Sequence, residues 1–207
     1  MSRRLKLGSL GLIGVALALA VPVVWAQDAP PVRVRGTIER VDGDIFIVRS
    51  RDGTELKVGL ADKALIVAII KASLSDVKPN SFVGVTGMPQ PDGSQRAVEV
   101  HIFPEAMRGT GEGHYAWDLR PQSTMTNGNV EQTVASTEGQ TLIIKFKDGE
   151  KKIVVPPDTP IVGYMPGDKN ELKAGVKIFI AAAKKLPDGT LQALRVNFGK
   201  DGLTPPM

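Results

Sequence analysis

The 207-residue chain contains no cysteine, which excludes disulfide staples, a thiol nucleophile and thiolate metal ligands together. Histidine is nearly as scarce: His101 and His114 are the only two. A hydrolytic triad needs a base beside its nucleophile, and that base is usually imidazole, so the chain reads as non-enzymatic. Aromatic residues are few as well (two Trp, two Tyr, six Phe), below what a base-stacking nucleic-acid surface presents. After the first two dozen residues no apolar run approaches the roughly 20 residues of a membrane-spanning helix. The longest such run, Ala64 to Ile70, falls far short of it.

The amino-terminal segment differs from the rest. Arg3, Arg4 and Lys6 precede an apolar stretch from Leu7 to Val24, and Val24 and Ala26 occupy the small-residue positions of a signal-peptidase site. We expect a signal peptide over 1–26, cleaved after Ala26, and a periplasmic mature protein without a membrane span. The Arg pair touches on twin-arginine export, but Leu5, Lys6 and Leu7 do not follow that order and favour general secretion. Removing the leader takes Lys plus Arg from 26 to 23 against 22 acidic residues. The mature chain is therefore near neutral and lacks the basic excess that nucleic acid requires.

The mature sequence repeats itself. Gly36-Thr-Ile-Glu39, Ile45-Phe-Ile-Val48, Arg51-Asp-Gly53 and Leu56-Lys-Val58 are matched by Gly128-Asn-Val-Glu131, Leu142-Ile-Ile144, Lys147-Asp-Gly149 and Ile153-Val-Val155. Phe82-Val-Gly-Val85 corresponds to Val176-Lys-Ile-Phe-Ile180. Pro-Asp-Gly recurs at 91–93 and 187–189, and Ala97-Val-Glu-Val-His-Ile102 corresponds to Ala193-Leu-Arg-Val-Asn-Phe198. Asp-Gly between β-branched runs marks tight hairpins, because their central residues need positive φ. Three strands, a longer connection and two more strands form the pattern of an OB-like barrel. Ala61 to Lys78 would supply a short helix in the first connection. The expected fold is all-β: two tandem small OB-like five-stranded β-barrels, at 32–104 and 128–200, joined by a Gly- and aromatic-containing linker over 105–127.

That linker carries the side chains of greatest chemical interest. Tyr115 and Trp117 are too bulky for a floppy tether and are expected to bury between the barrels. His114, Asp118, Glu112 and His101 form the candidate metal set, suited to zinc or copper, with Met107 or Met125 as a soft ligand for copper(I). His101 alternates with Val100 and Ile102, which places it with Glu99 on the polar, solvated face of its strand. Glycines 109, 111 and 113 lack the following helix of a phosphate loop. The lysines 145, 147, 151 and 152 read as solvated edge charges.

Met88-Pro-Gln-Pro-Asp-Gly-Ser-Gln95, His101 to His114, Trp117-Asp-Leu119, Ser123-Thr-Met-Thr-Asn127 and Lys200-Asp-Gly-Leu203 carry a resemblance over the whole mature chain. It resembles a family of uncharacterised exported proteobacterial proteins with OB-like β-barrel repeats, classed as a domain of unknown function and often labelled "metal ABC transporter permease". The resemblance implies the barrel fold and no particular activity. A permease needs several spanning helices, which the sequence does not offer. The expected function is that of a periplasmic binding or adaptor protein acting through contacts with another, unknown periplasmic protein. A metal-handling protein using His114 is the alternative.

Overall fold

The computed structural model describes residues 30–136 and 139–207; the expected signal peptide and its cleavage site lie outside them. The described residues are all-β, and their only helical pieces are three-residue 3₁₀ turns. The strands are β1 (Val32–Asp42), β2 (Ile45–Ser50), β3 (Glu55–Lys71), β4 (Phe82–Pro89), β5 (Gln95–Ile102) and β6 (Gly113–Ala116). They continue with β7 (Thr124–Ser136), β8 (Gly139–Phe146), β9 (Gly149–Val155), β10 (Ile161–Pro166), β11 (Lys177–Lys185) and β12 (Leu191–Gly199). The Asp-Gly hairpin signals hold: Gly53 and Gly189 sit at φ 88° and 86°, where a Cβ would be strained.

The expected helix over 61–78 is instead the second half of β3, followed by a single 3₁₀ turn at Leu74–Asp76. Val67, Ala68 and Ile69 are buried in succession, so both faces of the strand are covered. A short continuous apolar run has no period that separates such a strand from a buried helix, and its β-branched content decides for the strand.

The strands close into rings. β1–β2–β3–β12–β11–β1 forms a closed five-stranded barrel, antiparallel throughout except for the parallel β12–β3 ladder. Its interior holds Val34, Ile38, Phe46, Val48, Val58, Ile180 and Phe198. The remaining long strands follow β4–β5–β9–β8–β7–β4, a second cycle closed through the short parallel contact of Gln95 with Ile153 and Arg96 with Val154. Val83, Val85, Val100, Leu142, Ile144 and Ile153 fill it.

Membership of these rings corrects the tandem arrangement. The halves 32–104 and 128–200 do not each close on themselves, because β1–β3 take their fourth and fifth strands from the second half and β7–β9 take theirs from the first. The length of β3 explains the exchange. At about 3.3 Å per residue its seventeen residues extend roughly 55 Å, pairing with β2 at Glu55–Gly59, with β12 between Val58 and Ile69 and with β10 at Val67–Lys71 before the chain enters the β4–β5 hairpin of the second ring. The two halves share one hydrophobic pattern, so that pattern alone does not specify which hairpin closes which ring.

β10 joins the rings into one sheet, antiparallel to Val67–Lys71 of β3 and parallel to Val100–Ile102 of β5. In the second half the counterpart of β3 is broken by Pro156, Pro157 and Pro160 into β9 and β10. The first half instead absorbs this position in a bulge where Lys63 takes φ 61°. The expected linker is also structured: Glu105–Met107 is a 3₁₀ turn, β6 pairs with β7, and the stretch from Thr124 already belongs to β7.

Candidate functional site in the cleft between the rings

Cross-strand partners point to the same side of a sheet, so the registers define which residues face the space between the rings. From the second ring these are the row His101–Gly84–Asn127 and, beside it, Glu99–Thr86–Met125. From the first ring they are Arg35–Phe179–Asn197. Phe103 and Tyr164 stack over each other with centroids 5.3 Å apart, and His101 lies edge-on to both. Together with Trp117, Tyr115, Arg195 and three methionines they enclose a cavity of about 210 Å³.

The buried centre of this face is a carboxylate–imidazole pair. Glu99 is fully buried and His101 is 3% exposed. Glu99 Oε1 accepts from the Thr86 hydroxyl at 2.6 Å and from the Thr86 backbone N–H at 3.2 Å. His101 Nδ1 lies 3.1 Å from Glu99 Oε2 and 3.2 Å from Oε1. Both Glu99 oxygens lie within hydrogen-bond distance of His101 Nδ1, so a proton between the two groups holds the imidazole ring in this orientation. Gly84 makes room for this ring: a Cβ there would fall 1.9 Å from His101 Nε2 and 2.4 Å from Asn127 Oδ1. Burial pushes the Tyr164 phenol far above its ordinary value, with the Glu99 charge adding to the effect.

Among the described residues, four buried side-chain atoms have no hydrogen-bond partner, and three of them belong to residues lining this one cavity. They are Asn127 Oδ1, Trp117 Nε1 and Arg33 Nε. Asn127 is 5% exposed, and its Nδ2 is engaged by the carbonyls of Thr110 and Gly111 and by the Tyr115 hydroxyl. An orphaned amide oxygen there is costly unless something else satisfies it.

The structure separates the residues grouped as a metal set. His101 is not solvated. Alternation correctly put it beside Glu99, but the opposite ring covers that face. His114 lies on the other side of the sheet, in the row Val100–Val85–Thr126–His114 whose valines fill the second ring. Its Nδ1 is 2.8 Å from Thr126 Oγ1 and its ring stacks on Phe146. Burial, helped by the Lys151 charge, holds its pKa below the ordinary value. Asp118 is taken by Arg33 and Arg35, each at 2.7 Å. Desolvation opposes its ionisation, yet the hydrogen bonds from Arg35 and Arg33 hold the carboxyl at about 2. Glu112 sits exposed in the turn before β6. No three His, Asp or Glu side chains converge on a metal-sized site among the described residues.

Trp117 is partly buried in the cleft, 6.4 Å from Phe179 with the Arg33 guanidinium 3.9 Å above its ring. Tyr115 stays at the rim, 38% exposed. Sequence reasoning missed Gly84, Thr86, Glu99, Asn127, Phe179 and Tyr164. The available signals were a glycine inside an apolar strand, which marks close approach, and the Glu-x-His spacing on one strand face. Compared with protein-family models, curated proteins and solved structures, the chain matches none.

Proposed function

We propose that this is an exported, non-enzymatic binding protein whose ligand occupies the cleft between the rings. The observation that carries the reading is the convergence of three unpartnered buried polar atoms on one aromatic-walled cavity. Such a cavity, apolar with a few placed polar groups, is the usual form of a small-ligand site. The non-enzymatic reading is supported by the Thr86 hydroxyl beside the dyad, which donates to Glu99 and so is not held as a nucleophile. In this proposal the leader is cleaved after Ala26, the mature chain works in the periplasm, and the family resemblance holds. Each ring is then an OB-like barrel, with strand order and one parallel ladder supporting that description.

Fluorescence of 1-anilinonaphthalene-8-sulfonate tests the cleft. The folded protein is expected to bind one dye molecule, and Ala181→Trp, which fills the cavity wall, is expected to abolish the signal. Absence of dye binding, or indifference to the substitution, overturns the reading. The adaptor version has its own support in Leu65 and Leu194, 55% and 71% exposed, both at the bulge in the β3–β12 ladder where Leu65 pairs with Arg195. A photo-crosslinker at position 194 that captures one periplasmic protein, and loses it with Leu65→Asp, would establish a docking surface there. Equal capture from an exposed control site would remove it.

A further inference from the structure

We infer that the cleft binds a small aromatic carboxylate that also carries a hydroxyl, its carboxylate held by the side chains of Arg33, Arg195 and Trp117. The inference rests on the cleft being the ligand site and names its ligand class.

Charge sets the sign of the ligand. Arg33 on β1 and Arg195 on β12 both line the cavity, and no aspartate or glutamate does. Arg33 and Arg35 share a single carboxylate, that of Asp118, at 2.7 Å each. Arg195 has no carboxylate at ion-pair distance among the described residues. Glu99 stands behind His101, with its oxygens turned to Thr86 and the imidazole. Even with Glu99 counted, the guanidiniums of Arg33, Arg35 and Arg195 outnumber the carboxylates around the cleft. A partly buried cation without a counter-charge is costly, and an anion in the cavity removes that cost.

The unpartnered donors choose the shape of the anion. Arg33 Cζ stands 3.9 Å over the Trp117 ring, which makes Arg33 Nε and Trp117 Nε1 neighbours. Both N–H groups are buried and lack an acceptor. Two adjacent donors match the two oxygens of a planar carboxylate. Across the cleft, Asn127 on β7 offers the reverse chemistry. Its Nδ2 donates to the Thr110 and Gly111 carbonyls at 3.2 and 2.9 Å, which fixes the amide with Oδ1 as the free acceptor. Asn127 Oδ1 and His101 Nε2 both lie within 2.4 Å of the point where a Gly84 Cβ would stand, so this acceptor is on the cleft side of its sheet. A hydroxyl on the ligand satisfies it.

Between these polar ends the wall is apolar, formed by Phe103, Tyr164, Phe179, Met125 and Met207. An inorganic anion would leave that wall bare. A cavity of about 150 Å³ lined by apolar side chains accepts benzene. The cavity of about 210 Å³ here has room for such a ring together with a carboxylate and a hydroxyl.

Isothermal titration calorimetry of the chain with 4-hydroxybenzoate and with 3-hydroxybenzoate tests the site. At least one isomer is expected to bind one-to-one and to displace the naphthalene dye. Its amide, of the same shape without the charge, is expected to bind on the order of 30-fold more weakly, and benzoate, without the hydroxyl, about 10-fold more weakly. These ligand comparisons need no variant and so do not depend on how a substitution folds. Arg195→Gln is expected to weaken the hydroxybenzoate on the order of 10-fold and to leave the amide unchanged. Failure of both isomers to bind, while the dye still enters the cleft and is excluded by Ala181→Trp, overturns the carboxylate inference and leaves the cleft reading standing. Failure of acids and dye alike removes both. Equal binding of acid and amide, indifference to Arg195→Gln, or displacement of the dye by sulfate at the same concentration shows that the cleft does not read an aromatic carboxylate and overturns the assignment.

Discussion

The two faces that meet across the cleft descend from the same repeat, yet they carry opposite chemistry. Glu99, His101 and Gly84 on the second ring correspond in the repeat to Arg195, Asn197 and Phe179 on the first. In both rings the third of these pairs with the second across an antiparallel ladder, Gly84 with His101 and Phe179 with Asn197. On the first ring Phe179 fills the space with its own ring, and the Asn197 amide donates to the Phe179 carbonyl at 3.1 Å. On the second ring the missing side chain of Gly84 leaves that space to an imidazole. One position, phenylalanine or glycine, decides whether the equivalent face is inert packing or an orientable base backed by a carboxylate.

The comparison breaks most completely if the halves are parted. Expressed separately, residues 30–104 and 124–207 are each expected to remain unfolded, because each ring lacks two strands. Mixed, they are expected to assemble one-to-one, which size-exclusion chromatography and circular dichroism would register; an independently folded half would refute the exchange. Single substitutions at the divergent position come next. Phe179→Ala should cost about 4 kcal/mol through the cavity it leaves. Gly84→Ala should cost about 3 kcal/mol because its methyl overlaps His101 and Asn127, and urea midpoints would report both. At the charged pair the effects should diverge. Glu99→Gln is expected to lose about 2 kcal/mol, because an amide offers one acceptor oxygen where the carboxylate offers two to Thr86 and His101. Arg195→Gln should stay within about 0.5 kcal/mol. Equal losses would show that the two faces are energetically alike.

A further small effect is a matter of pH. The Asp118 carboxyl titrates at about 2 in the folded chain, below its ordinary 3.8. A depressed carboxyl contributes stability above the unfolded value and loses it as pH falls through the folded one, here between about pH 4 and pH 2. With half its side chain exposed, screening keeps the contribution under about 1 kcal/mol. Asp118→Asn should therefore flatten part of the acid limb in thermal midpoints measured at low salt, and 1 M salt should erase the difference.

Much of the local structure is legible in the sequence. Alternation and Asp-Gly turns locate β2, β5, β8 and β12, and the repeat gives the residue correspondences on which the two faces are compared. Alternation also puts Glu99 and His101 on one face. Pairing partners are another matter. When two halves share one hydrophobic pattern, nothing in either pattern says which hairpin closes which ring. The answer lies in the length of β3, hidden because its apolar centre has no helical or strand period. The solvated face assigned to His101 fails for the same reason, since a residue is exposed or buried according to what lies opposite. His114 attracted notice through its glycines and aromatics, whereas the side chains enclosing the cleft come from strands far apart in sequence.

The hydrogen bond from Arg35 to Met207 spans 172 positions, and β1 finds its neighbour only in β11. Such topology places this chain among slow folders, since distant ends must meet before any ring gains its cooperative stability. The meander of β1, β2 and β3 emerges first, and its open edges stay unmet until β11 and β12 exist. During that interval the chain is adhesive, and its apolar strands can pair with those of a neighbouring molecule. Yield of native protein should therefore depend steeply on chain concentration during refolding, even where the finished molecule is stable.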